Sequence, residues 1–293
     1  MSERLVHSVQ SRDFSILKKF LTFYARREMP LTVELLESVL CFASACGDDL
    51  DRVVAFARNS CDFDFSTTSR VGKTLLVKLS ERTHHRQSLM TSLFKHGAAA
   101  AINVADKHNN YPVHNAVTSC DAASVFPLEL FLRHGADPNV RNRKGQTPLQ
   151  LVMWFYEGVP FKKIIGPLLL LLRAGADVND DLIVGCLFGM IKRQRSSPDL
   201  QRVLRMFRYA GLSVERLHVR MRKKCAKPGC QCQYCAAMRY FAEVEESPAT
   251  LAFQCRMCVR QQLVRHGRCL LESVPQLQCL PLSLSKALML EDI

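Results

Sequence analysis

The sequence predicts an all-α chain: a solenoid of stacked helix pairs followed by a small C-terminal helical segment. Three observations predict it. The segment Leu132-Arg133-His134-Gly135-Ala136-Asp137-Pro138-Asn139 recurs forty residues later as Leu172-Arg173-Ala174-Gly175-Ala176-Asp177-Val178-Asn179, and self-similarity at such a period marks a repeat architecture. Between the glycines stand turn-and-start signals, Gly145-Gln146-Thr147-Pro148-Leu149 and Asn109-Asn110-Tyr111-Pro112-Val113-His114. The apolar runs Leu128–Leu132 and Leu168–Leu172 belong to helices whose pairs bury only one side, so each needs a stacked neighbour.

The elements follow in order. Residues 1–36 are expected to form a polar-faced helical cap. Residues 37–214 are expected to form five repeats, counted by the glycines at 97, 135, 175 and 211. The first, 37–64, is weak, with Ala43-x-x-Cys46-Gly47 as a degenerate helix end. Thr147 can cap a helix, and Pro148 can start it because the first amides of a helix lack partners anyway. Gly135 and Gly175 end second helices, where a left-handed residue is cheapest as glycine. The Asp-x-Asn after each glycine suits a tight turn. Seven extra residues around Glu157–Lys163 lengthen the loop inside one repeat. The last repeat, 180–214, lacks the Thr-Pro start and reads as a terminal cap.

These features resemble ankyrin repeats, units of about 33 residues built from a turn and two antiparallel helices. The resemblance implies a long concave protein-binding surface of fingers and inner helices. On it, Arg141, Arg143 and Lys144 of one finger, and Trp154 and Phe155 near the end of a first helix, are candidate target-binding residues. Trp154 also reads as packing under the inserted loop. His114 falls at the histidine of the family's Thr-Pro-Leu-His and is structural there.

Composition bounds the remaining classes. In 293 residues, 48% are hydrophobic, which is ample for a core. A formal charge of +13 attracts acidic partners without choosing among them. The N-terminus lacks an apolar signal core, so the 13 cysteines are expected as reduced thiols or metal ligands. The run Ile164–Leu172 is far short of the roughly 18 apolar residues that span a bilayer. The expectation is a cytoplasmic protein, with the nucleus also open to it, and no membrane partner.

Three constellations could carry chemistry. Gly72-Lys73-Thr74 resembles the end of a phosphate-binding loop, but the required earlier glycine is Thr67, and a turn before a helix explains it better. Cys225, Cys230, Cys232 and Cys235 could surround a tetrahedral zinc. Four ligands within eleven residues demand a tight wrap, however, and the favoured reading is a reduced, cysteine-rich loop. The basic run Arg216, Arg220, Arg222, Lys223, Lys224 and Lys227, with Tyr234 and Tyr240, could hold phosphates and stack bases. A solvated stretch is the commoner outcome. Residues 215–247 thus read as a basic, cysteine-rich linker. No nucleophile or histidine dyad stands in a catalytic context, so neither enzyme activity nor a cofactor is expected.

Residues 248–293 carry the last signal. Leu251, Cys255 and Val259 recur every four residues, with Arg256, Arg260, Gln261 and Gln262 opposite, an amphipathic stripe that either folds back to cap the repeats or enters a partner groove. Thr250-Leu251-x-x-x-Cys255-x-x-x-Val259, followed by Leu280-Pro281-Leu282, resembles the SOCS box. With the repeats, the chain is similar to the ankyrin repeat and SOCS box family. That resemblance implies a three-helix box over residues 248–293 and a non-catalytic substrate receptor of a ubiquitin ligase. Thr250, Leu251, Cys255 and Val259 would meet elongin C, itself joined to elongin B. Leu280, Pro281 and Leu282 would meet cullin-5, which brings the RING subunit. Ser283 stands where the family usually has a second proline. The alternatives are an ankyrin scaffold that recruits no ligase, and a zinc-bearing nucleic-acid binder.

Overall fold

The computed structural model describes residues 19, 22, 23, 26, 31–46, 50–81, 87–119, 125–155, 161–193, 198–225, 230, 232–246, 258–260, 262 and 263. Among them helix dominates, and the sole extended pairing is an isolated bridge between Thr68 and Thr74. No helix among the described residues is long and apolar enough to cross a membrane. The chain divides into two compact units, Met1–Ala136 with Arg141–Gly145, and Asp137–Val140 with Gln146–Ile293.

The first unit holds α1 (Val33–Cys46), α2 (Leu50–Ser60), α3 (Leu75–Ser80), α4 (Gln87–Lys95), a 3-10 turn (Ala98–Ala101), α5 (Pro112–Ser119) and α6 (Phe126–Arg133). First helices form one row, α1 on α3 on α5. Second helices form another, α2 on α4 on α6. This is the two-layer stacking that lets each one-sided pair bury its apolar face. Leu36, Leu40, Leu75, Leu79, Leu93 and Phe131 lie fully inside. The expected start of the repeats at residue 37 falls within α1.

In the first repeat Cys46 ends α1, so the degenerate helix end expected there falls on the first helix of the pair. The turn that glycine makes elsewhere is made by Asp62, at φ 46°, a conformation aspartate tolerates better than most residues.

The second unit holds α7 (Pro148–Phe155), α8 (Phe161–Ala174), α9 (Asp181–Arg193), α10 (Pro198–Tyr209), α11 (Val214–Lys224) and α12 (Gln233–Glu246). Here α7, α9 and α11 form one row, and α8 and α10 the other. Residues 161–163, expected in a lengthened loop, are helical. They add a first turn ahead of Pro167, which lies inside α8 at the position where Pro127 starts α6.

Residues 215–247, expected as a linker, are largely two packed helices. Val214, Leu217 and Met221 are buried on one face of α11, while Arg216, Arg220, Arg222 and Lys223 are exposed. These four basic residues are the solvated side of an amphipathic helix, and Lys227 lies outside the described residues. Helix α12 packs on α9 and α11, with Tyr234 stacked on Phe188 at 5.2 Å. The Tyr240 hydroxyl donates to the Gln201 carbonyl at 3.3 Å. Both tyrosines named as base-stacking candidates are thus engaged inside the fold.

The same backbone-local chemistry recurs in both units. Gly135, Gly175 and Gly211 have φ of 85°, 93° and 107°. After each, the next amide reaches back to close the helix, Ala136 to Phe131, Ala176 to Leu171 and Leu212 to Phe207, at 2.9–3.0 Å. This is the Schellman arrangement, which satisfies the orphan carbonyls of a helix end. An asparagine then ties each turn to the next. Asn103 donates to Gly135 at 3.0 Å, Asn139 to Gly175 at 3.3 Å and Asn179 to Gly211 at 3.0 Å.

Candidate interaction site

Helix starts set the side chains of the binding surface. The Thr147 amide donates to Gln150 Oε1 at 2.9 Å, and the Gln150 amide to Thr147 Oγ1 at 3.3 Å, a reciprocal capping box. One repeat earlier the Tyr111 amide donates to His114 Nδ1 at 3.2 Å, so buried His114 is structural, as expected. Thr74 is fully buried and caps α3 through the Val77 amide, which leaves Gly72-Lys73-Thr74 as a repeat turn. Where the last repeat lacks Thr-Pro, Asp180 caps α9, accepting from the Leu182 amide at 2.8 Å.

In the first unit, Arg141, Arg143 and Lys144 are exposed on a turn. Gly145 (φ 74°) donates to the Asn142 carbonyl at 2.8 Å, and the Arg143 amide donates to the His108 carbonyl at 2.9 Å. Arg141 Nη1 reaches the Gly145 carbonyl at 2.8 Å. The turn is therefore held by backbone bonds, with the Arg143 and Lys144 heads left at the surface.

The second unit contains a cavity of about 490 Å³. One wall is Gln150, Met153 and Trp154 of α7, which share a face at spacings of three and four. The other is Leu182, Gly185, Cys186 and Gly189 of α9, and Arg220 of α11 lies across it. Trp154 is 53% exposed, and residues 156–160 of the inserted segment lie outside the described residues. Gly185 is helical, and its value is space: a Cβ there would stand 3.2 Å from Arg220 Nη1. Gln150 is buried, and its Nε2 has no hydrogen-bond partner among the described residues. An aromatic face, a thioether, a guanidinium, amides and the Asp181 carboxylate around a concavity suit a protein segment with an apolar group and hydrogen-bonding groups. Phe155 ends α7, and its side chain lies outside the described residues. Sequence reading missed Met153, Leu182, Gly185 and Gly189. The Gly185/Gly189 spacing, one turn apart on a helix, was the signal that could have found them.

Of the box residues, Thr250, Leu251, Cys255, Leu280, Pro281 and Leu282 lie outside the described residues. Val259 is half-buried in the helical stretch 258–260. Arg260, placed on a polar face by periodicity, is only 3% exposed and donates from Nη2 to the Leu172 carbonyl at 2.6 Å. The four cysteines converge: their sulfurs lie within 4.8 Å of one another. The Cys232 thiol is drawn down to about 6, first by the backbone N–H of Cys235. Cys235 is pushed up to about 12, first by burial and then by the Cys232 thiol.

Residues 93–152 match a family model described as ankyrin repeats (many copies). A search of curated proteins returned no match. The chain carries ankyrin repeats, and with them a protein-interaction module.

Proposed function

We propose that this chain is the non-catalytic substrate receptor of an elongin B/C–cullin-5–RING ubiquitin ligase, acting in the cytoplasm and also in the nucleus. The ankyrin repeats hold the target through the Trp154–Arg220 cavity and the Arg141, Arg143 and Lys144 finger. The C-terminal box holds elongin C through Leu251, Cys255 and Val259, and cullin-5 through Leu280, Pro281 and Leu282. Ubiquitin transfer is performed by the recruited subunits, and the receptor contributes proximity. The observation that carries the reading is the two spaced motifs in the box family's order after ankyrin repeats, with Val259 on a helical stretch. Co-expression with elongin B/C tests it. The pair Leu251→Ala with Cys255→Phe should abolish co-purification, because it removes one buried anchor and overfills a helix contact. Undiminished binding by the pair would falsify the box.

Arg260 favours a second reading. A buried guanidinium bonded to α8 is also what a terminal helix closing a repeat body needs. In that case the chain is an ankyrin scaffold without ligase recruitment, and elongin B/C does not bind the wild type.

A further inference from the structure

We propose that Cys225, Cys230, Cys232 and Cys235 form a structural zinc site that clamps the end of α11 to the start of α12. The sulfurs of Cys225 and Cys235 are 3.6 Å apart, as are those of Cys232 and Cys235. A tetrahedron of thiolates at the usual zinc–sulfur length of about 2.3 Å has sulfur–sulfur edges of about 3.8 Å. Two edges therefore stand close to that length already, and the widest, within 4.8 Å, closes by rotamer changes of half-exposed side chains. Among the described residues no other group of histidine, cysteine or carboxylate side chains converges in this way.

The local fold explains how four ligands fit in so short a span. Cys225 is the C-cap of α11 at φ −148°, ψ 105°, where the chain leaves the helix extended. Cys232 directly precedes α12, and Cys235 lies in its first turn. The end of α11 thus supplies Cys225, the start of α12 supplies Cys232 and Cys235, and the connection supplies Cys230. The Cys230 sulfur accepts the Cys232 amide at 3.4 Å, the kind of outer-shell bond that orients a thiolate ligand.

Charge and softness agree. Four thiolates around a dication leave a double negative charge. The positive N-terminal end of α12 and Arg222, Lys223 and Lys224 in the last turn of α11 offset it. Soft sulfur ligands select zinc over calcium or magnesium. Four protein ligands leave no open position, which makes the site structural rather than catalytic.

The full chain, purified under reducing conditions without added metal, tests this by elemental analysis. One zinc per chain should persist through gel filtration. The pair Cys232→Ser with Cys235→Ser should lower zinc more than tenfold, whereas Cys61→Ser should retain it. A strong chelator should lower the melting temperature of the wild type but not of the serine pair. If the pair fails to fold, cobalt(II) titration of the chelated wild type decides. Tetrahedral cobalt–thiolate absorption saturating at one equivalent supports the site. Absence of both zinc and that absorption overturns it, as does undiminished zinc in the serine pair, or iron in place of zinc.

Discussion

Arg260 donates from Nη2 to the carbonyl of Leu172 at 2.6 Å, across 88 residues of sequence. Leu172 lies in the last turn of α8, where its carbonyl also accepts the Gly175 amide at 3.2 Å and a cation is favoured by the helix dipole. Arg260→Ala should cost about 2 kcal/mol, the range of a hydrogen bond to a charged group. Denaturant unfolding followed by Trp154, the only tryptophan, reads it. A change within 0.5 kcal/mol, roughly the scatter of surface substitutions, would show that this contact does not tie the 258–260 stretch to α8.

Asn179 joins two turns with both ends of its amide. Its Nδ2 donates to Gly211 at 3.0 Å and its Oδ1 accepts the Ser213 amide at 2.7 Å. Asn179→Ala should destabilise the second unit by about 1–3 kcal/mol. Hydrogen exchange should accelerate first in α11, whose N-cap is Ser213.

Gly135 isolates the backbone contribution. Its φ is +85°, and a Cβ added there would meet nothing within 4 Å, so no side-chain clash complicates the result. Gly135→Ala should cost about 1 kcal/mol and Gly135→Asn less, because asparagine visits the left-handed region more readily. Thermal unfolding by circular dichroism ranks the three proteins.

Trp154 separates binding from folding. With half its surface exposed, Trp154→Ala should change stability by no more than about 0.5 kcal/mol yet lose proteins recovered with the wild type. Gly185→Leu should do the same by filling the cavity, since the first atom it meets is the mobile end of Arg220. Retention of every partner by both variants places recognition elsewhere.

Reversing Arg141, Arg143 and Lys144 to glutamate tests the finger. The turn keeps its backbone bonds, so the melting temperature should hold within a few degrees. Acidic or phosphorylated partners should be lost, because rim charges steer encounter and reject wrong partners. The same partners should survive neutralisation of Arg222, Lys223 and Lys224; the opposite pattern would move recognition to α11.

Much of the fold was legible, and the reason is local. Gly135, Gly175 and Gly211 announce helix ends because few residues other than glycine adopt positive φ cheaply. Thr147 and His114 announce helix starts because their side chains answer amides within three residues. Asp62 escaped notice because aspartate makes the same turn without glycine's signature. The α11–α12 pair escaped because its charges and cysteines outnumber a thin apolar stripe, Val214, Leu217 and Met221.

The sequence by itself determined that helix pairs repeat here, where most of them end, and which turns join them, since each depends on bonds spanning a few residues. Tertiary structure alone decided that Trp154 faces a cavity, that Arg260 is buried and that four cysteines meet. Those outcomes depend on which helix faces which neighbour, and packing between residues distant in sequence sets that orientation.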